Sequence, residues 1–205
     1  GFAAYSLNNV LFLRQAWGYS VLHAGLLTAL PPITVALLAP FTGRLASRIG
    51  FRPLVIVGPF IVAAATLGFS QLIGIDREPL RFVLIGEVVA VGIACFIPVN
   101  SAAAVAELPP PRLSVGGAVN NTFRQVGAVI GVALLVAILG SPTTPLELVD
   151  AHQSGWLMIS ILSLATAVIG LAPGSTDFGA PPLSVTFDAG PSDAAAGSRT
   201  YEWGL

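Results

Sequence analysis

Lysine is absent from this chain; all nine basic residues are arginine, which points to coding composition rather than to mechanism. Charged residues make up only 9% of the chain and the formal net charge is -1, so there is no basic surplus for nucleic acid and no acidic surplus for solvation. A single cysteine, Cys95, lies inside an apolar segment, which excludes an internal disulfide framework and leaves it as a small core residue. The two histidines, His23 and His152, are too few and too far apart in sequence for a metal site, and both are expected at the membrane interface. No H-E-x-x-H or nucleophile-elbow motif is present, and no nucleophile is visibly paired with a base, so an enzyme is the least supported class.

What is abundant is apolar surface. Hydrophobic residues are 55% of the chain and the mean hydropathy is +0.85, against about 25% charged residues in ordinary soluble domains. This composition describes an all-α, polytopic membrane protein. The chain opens at Gly1 without a methionine and already inside an apolar segment, so it is expected to be a fragment. Gly1 to Leu13 reaches Arg14 after fewer than the roughly 20 residues needed to cross the membrane core, so the first helix is expected to be cut short. Trp17 and Tyr19, beside the turn at Gly18, are expected in an interfacial aromatic belt. Further spans are expected from Val21 to about Thr42, Leu54 to Ile75, Leu80 to about Ala106, Val115 to Gly140, and Gln153 to Leu171. Residues 1–172 then form one six-helix bundle. Pro173 to Leu205, rich in Gly, Pro, Ser, Ala and Asp, reads as a disordered tail.

Two charged residues lie deep within these spans. Around Arg124, the side of a helix bearing Gly117, Asn120, Asn121, Arg124, Gly127, Ala128 and Gly131 is polar and small. The side bearing Phe123, Val126, Val129, Ile130 and Val136 suits lipid. A guanidinium at the centre of a membrane helix costs at least about 2.5–3.5 kcal/mol, so it persists where it faces a polar cavity, a carboxylate or an anion. The alternative is an anchoring role by snorkelling to the cytoplasmic end of the helix. Gly127 and Gly131, spaced as G-x-x-x-G, permit close helix packing. Glu87, the second charge, lies about seven residues or roughly 10 Å into its span. Arg124 lies roughly 18 Å deep from the opposite side, so an ion pair between them and a cavity-facing, protonatable Glu87 are both open. Glu87 shares a stripe with Ala94, Pro98 and Ser101.

The connection after the second span, GRLASRIGFRP, carries Arg44, Arg48 and Arg52. With Arg112 on the same side, against Arg14, Arg77 and Arg81 opposite, the positive-inside margin is one residue, and the local density places the Gly43–Pro53 connection in the cytoplasm, with the tail. Gly43, Leu45, Ala46, Arg48, Gly50 and Arg52 match much of a Gly-x-Leu-Ala-Asp-Arg-x-Gly-Arg-Arg signature, so the chain resembles the major facilitator superfamily. Gly18-Tyr19-Ser20 followed by Ala24-Gly25-Leu26, and Pro98 through Ala128 with Asn120-Asn121 and Arg124-Gln125-x-Gly127, resemble its fourteen-helix drug/proton antiporter branch. Ser47 stands where the signature has Asp and Phe51 where it has a basic residue, which puts the charge latch of that loop in doubt.

The resemblance implies the C-terminal six-helix half of a multi-pass plasma-membrane transporter, exporting hydrophobic or amphipathic compounds in exchange for protons by alternating access against a missing N-terminal half. It implies no metal or organic cofactor; the partners are the small molecule, protons and the lipid bilayer, with no nucleic acid. Arg124, Asn120, Asn121, Gln125 and Glu87 are the expected substrate and proton pathway, and Gly43, Arg44, Arg48, Gly50 and Arg52 the conformational loop. For the loop arginines, topology signals and lipid-headgroup contacts are equally open. An uptake or metabolite carrier of the same fold, and a non-transporting membrane module, are the competing readings.

Overall fold

The computed structural model describes residues 1–106, 108–109 and 112–171; the expected tail, Pro173 to Leu205, lies outside the described residues. Six α-helices follow one another: α1 (Phe2–Gln15), α2 (Val21–Ile49), α3 (Phe51–Leu72), α4 (Pro79–Ala103), α5 (Leu113–Leu139) and α6 (Pro145–Leu171). Helices α2 to α6 are each long and apolar enough to cross a membrane. With 14 residues, α1 is about 21 Å long and falls short of a bilayer core of about 30 Å.

Two helix ends differ from the sequence expectation by about two turns, the end of α2 and the start of α6. At 29 residues, α2 is about 43 Å long, so its last two turns run beyond the hydrocarbon core while remaining helical. Thr42 marks where apolarity ends. The backbone turns only at Gly50, whose φ of +86° L-residues rarely adopt, and α3 starts at the next residue. The expected Gly43–Pro53 loop is thus two helix ends meeting at one glycine. α6 likewise begins at Pro145, well before Gln153, because its start is capped. The Glu147 N–H donates to Thr144 Oγ1 at 3.2 Å, the Thr144 N–H donates back to Glu147 Oε2 at 3.4 Å, and the Thr143 N–H and hydroxyl both donate to the same oxygen at 2.9 Å. This is a capping box with proline at the first helical position.

Packing pairs α3 with α6 and α4, α2 with α4 and α3, α1 with α5, α6 and α2, and α5 with α6. Exchanging α1 with α4, α2 with α5 and α3 with α6 reproduces every pair except α1–α2. Successive helices alternate in direction, so the two triplets are inverted repeats. Side-chain bonds give the same directions. Thr34 meets Glu87 and Thr42 meets the Ala94 carbonyl, so α2 and α4 run parallel; Ser160 meets the Ala63 carbonyl and Gln153 the Ile73 carbonyl, so α3 and α6 run antiparallel.

The core lies where α1, α3, α4 and α6 converge. Phe12 packs edge-on against Trp156 with ring centroids 4.9 Å apart, Phe69 stacks on Trp156 at 5.1 Å, and Phe82 meets Phe69 at 5.0 Å. Trp17 joins this cluster instead of lying in an interfacial belt: it is buried, and its indole N–H donates to the Gly74 carbonyl at 3.0 Å. In contrast, α2 buries only Ala24, Thr42 and Ala46, and α5 only Gly131 and Leu135. These repeat-equivalent helices form the open edges of the bundle.

The α3–α4 contact depends on one glycine pair. A Cβ at Gly92 would sit 2.8 Å from the Gly58 carbonyl and from Val62 Cγ2, and a Cβ at Gly58 would sit 2.8 Å from the Gly92 carbonyl. Both obstacles include backbone, so the helices must separate to admit a methyl group. Gly92→Ala is therefore expected to destabilise the purified protein in detergent by about 1–3 kcal/mol. Gly25→Ala, with nothing within 4 Å of its Cβ, should be neutral or stabilising. Equal melting temperatures for Gly92→Ala and wild type, by scanning fluorimetry, would contradict the close-packed crossing.

Candidate functional site

The polar residues of α5 lie on an open stretch of that helix. Gly131 and Leu135 bind its far half to the bundle, Gly131 facing Gly1 and Ala4 of α1 and Leu135 packing against Gly155 of α6. Arg124 lies seven residues, or about 10 Å, nearer the start of α5 than Gly131, beyond the first residue of α1. Asn120 is half-buried, while Asn121, Arg124 and Gln125 are exposed, as are Phe123, Val126 and Val129 on the apolar side. Both faces of this stretch are open. One offers a fork of N–H donors among amides and small residues, and the other offers lipid-compatible side chains.

Glu87 is placed elsewhere. It lies on α4 and faces α2, where the Thr34 hydroxyl donates to its Oε2 at 2.5 Å. Its other oxygen is buried with no hydrogen-bond partner among the described residues. One further step along the same α4 stripe, the Thr42 hydroxyl donates to the Ala94 carbonyl at 2.9 Å, which fixes the azimuth of the helix. Arg124 and Glu87 form no ion pair: among the described residues, the ion pair is Arg81–Glu78 at 2.6 Å near the start of α4. The two in-span charges therefore belong to different walls, α5 and the α2–α4 seam.

Next to Glu87, a cavity of about 340 Å³ opens between α1, α2 and α4. Its lining is mostly apolar, with Phe82, Val83 and Ile93 from α4 and Leu27, Pro31 and Val35 from α2; Tyr5, Ser6, Asn9 and Thr28 supply polar atoms. The Tyr5 hydroxyl, held close to α4 at Gly86, is buried and has no hydrogen-bond partner among the described residues. A mostly apolar cavity of this size with a few convergent polar groups has the form of a small-molecule site, for which about 300–1,000 Å³ is usual. No group of three His, Cys, Asp or Glu side chains able to hold a metal occurs among the described residues.

The five expected loop residues lie around the α2–α3 turn: Gly43, Arg44 and Arg48 on the last turns of α2, Gly50 at the break and Arg52 on the first turn of α3. All three guanidinium groups belong to exposed residues. Arg52 Nη2 donates to the Leu171 carbonyl at 3.4 Å, placing a cation at the negative end of α6. Ser47 turns back onto its own helix, its hydroxyl donating to the Arg44 carbonyl at 2.7 Å. At the position where the signature carries Asp, this side chain therefore makes no bridge to another helix.

A buried polar network joins α1 to α6, and the sequence reading missed it. His152 is fully buried, not interfacial; its Nδ1 lies 2.7 Å from Asn8 Oδ1, and Asn8 Nδ2 donates to the His152 carbonyl at 3.0 Å. The Trp156 indole donates to Asn9 Oδ1 at 2.8 Å. Gly155 leaves room for this, since a Cβ there would lie 3.0–3.1 Å from both polar atoms of the Asn8 amide. The available signal was the adjacent pair Asn8-Asn9 within an apolar run, which demands a partner inside the protein.

Residues 1–188 match the Major Facilitator Superfamily. The chain is 32% identical over 171 residues to the lincomycin resistance protein LmrB of Listeria innocua and 29% identical over 171 residues to LmrB of Listeria monocytogenes, each alignment covering 78% of this chain and 36% of the relative. It is 29% identical over 144 residues to the multidrug resistance protein Stp of Mycobacterium tuberculosis, covering 68% of this chain and 26% of that protein. The chain thus spans about a third of the length of the curated relatives it matches. No solved structure matches it. Six helices in two inverted triplets, five of them apolar enough to span a membrane, agree with the sequence match, and the chain is a multi-pass plasma-membrane protein belonging to the Major Facilitator Superfamily.

Proposed function

We propose that this chain forms the C-terminal six-helix half of a proton-coupled exporter of hydrophobic or amphipathic small molecules, and that Arg124 lies in its translocation path. The observation that carries the reading is the polar stripe Asn120–Asn121–Arg124–Gln125 on α5, a helix otherwise apolar enough to span a membrane. A membrane guanidinium with no carboxylate beside it among the described residues needs a polar surface opposite, and a second bundle closing over α2 and α5 supplies one. The resistance activities named for LmrB and Stp fit export of small molecules from the cell.

In this scheme the two halves rock about a site near the midplane, and Glu87, with one oxygen unpartnered, carries the proton. Each proton moving inward contributes about 2.3 kcal/mol per 100 mV of membrane potential. The turn at Gly50, with Arg44, Arg48 and Arg52 around it, faces the cytoplasm, and the Arg52 contact to the end of α6 ties the two repeats together on that side. A single half has only one wall, so residues 1–205 by themselves are not expected to move substrate.

Arg124→Ala in the full-length transporter should abolish proton-driven efflux in proteoliposomes while leaving the amount of inserted protein unchanged, since an exposed side chain on α5 supports no packing. Arg124→Lys should retain partial activity, because an ammonium keeps the charge and loses the bidentate fork. Wild-type efflux and an unchanged response to the pH gradient in Arg124→Ala would make Arg124 an anchor. Proton-driven accumulation of substrate on the cytoplasmic side would instead establish an uptake carrier.

The orientation has its own check. Cysteine at Ser47, an exposed position on the last turns of α2, should react with a membrane-impermeant maleimide only in inside-out vesicles. Labelling in intact cells would place the Gly50 turn outside and reverse the proposed topology.

A further inference from the structure

Within α2, residues Leu27, Thr28, Pro31, Pro32 and Val35 all line the cavity between α1, α2 and α4, so they form a single face of the helix. The tandem prolines on that face change its backbone chemistry. In an α-helix the Thr28 carbonyl accepts from the N–H of residue 32, and in a tightened turn from that of residue 31. Both are proline here and neither has an N–H. The Leu27 carbonyl loses its partner at Pro31 but can still tighten onto the Leu30 N–H. The next donor along, the Ile33 N–H, belongs to the Ala29 carbonyl in regular helix geometry. The Thr28 carbonyl is therefore the one acceptor of α2 that local sequence deprives of both helical donors.

Nearby side chains do not supply the missing hydrogen. The Thr28 hydroxyl donates backward, to the Ala24 carbonyl at 2.8 Å and the Gly25 carbonyl at 3.2 Å. The Thr34 hydroxyl is committed to Glu87, and the Ser6 hydroxyl donates to the Phe2 carbonyl at 3.1 Å. In a membrane interior a carbonyl without a donor is costly, and it is tolerated where it lines a cavity that water or a ligand can fill. Across the same cavity Tyr5, only 5% exposed, holds its hydroxyl without a hydrogen-bond partner among the described residues. A mostly apolar chamber with an orphaned carbonyl on one wall suits a ligand that carries its own donor, and the Tyr5 hydroxyl on another wall can either donate or accept.

We infer that the cavity between α1, α2 and α4 is a substrate subsite for apolar molecules bearing an N–H donor, and that the Thr28 carbonyl freed by Pro31 and Pro32 accepts that hydrogen bond. The inference rests on the export reading for the traffic of small molecules, but the subsite is defined by binding alone. It predicts discrimination between two cations of the same charge and ring system, one with N–H hydrogens and one fully methylated. It also predicts that an N–H restored to the helix at position 32 competes with the ligand for the same carbonyl.

The test uses purified full-length transporter in detergent and two probes, N-methyl(1-naphthylmethyl)ammonium and trimethyl(1-naphthylmethyl)ammonium, with affinities measured by titration calorimetry. The wild type should bind the N–H probe about tenfold more tightly, a difference of about 1.4 kcal/mol. Pro32→Ala should bring the ratio to about one by weakening only the N–H probe. Pro31→Ala, which restores a donor three residues on, should lower it in the same sense. Pro40→Ala, a proline of the same helix that does not line the cavity, should leave it unchanged, separating donor restoration from relief of a kink. A ratio near one in the wild type, a ratio unaltered in Pro32→Ala, or binding of neither probe would overturn the subsite. Selective binding without proton-driven efflux would support the subsite and remove the export reading.

Discussion

A polar group inside a bilayer has no water to turn to, and the arrangement of this chain follows from where each such group finds its partner. Many in-span hydroxyls and amides bond to a carbonyl or side chain within the protein: Ser160 to Ala63, Thr42 to Ala94, Thr66 to Val62, Trp156 to Asn9 and Asn8 to His152. Several of these bonds cross between helices, and they fix both register and direction in places where uniform apolar surfaces would leave helices free to slide. The buried groups left without a partner among the described residues are therefore informative. Glu87 Oε1, the Tyr5 hydroxyl and the Thr28 carbonyl, deprived by Pro31 and Pro32 of its helical donors, all belong to the helices that enclose the cavity.

Close packing is distributed just as unevenly. The α3–α4 and α3–α6 contacts are the most extensive of the bundle. Gly58 and Gly92 bring two backbones together in one, and Gly170 lets Val55 and Ile56 approach in the other. The repeat-equivalent pair α2 and α5 bury almost nothing. The bundle is therefore held together through α3, and its two edges are sparsely packed.

The sequence made the class, the number of spans and the polar face of α5 legible, because hydropathy and helical period act over whole turns. It misjudged positions that one tertiary contact decides. Apolarity ends at Thr42 but helicity continues to Ile49, since hydrophobic thickness and backbone hydrogen bonding are different constraints. The Thr144-x-x-Glu147 capping box was readable and places the start of α6 eight residues before Gln153. Trp17 and His152 were assigned to the interface by residue type, yet the Gly74 carbonyl and the Asn8 amide draw them inside. The azimuth of α4, and with it the separation of Glu87 from Arg124, depended on Thr34 and Thr42, two residues of another helix that no periodicity in α4 could announce.

The repeat symmetry sharpens the contrast between the two open edges. α2 and α5 occupy equivalent positions, but their polarity comes from different parts of the chain. On α2 it comes from backbone, through prolines that remove N–H groups and leave a carbonyl acceptor, with the Glu87 carboxylate beside the same helix. On α5 it comes from side chains, with a guanidinium that only donates among Asn120, Asn121 and Gln125. One edge therefore presents acceptors and the other a fixed cation. A cation is drawn to the first and repelled by the second, so the bundle is polarised between its two edges.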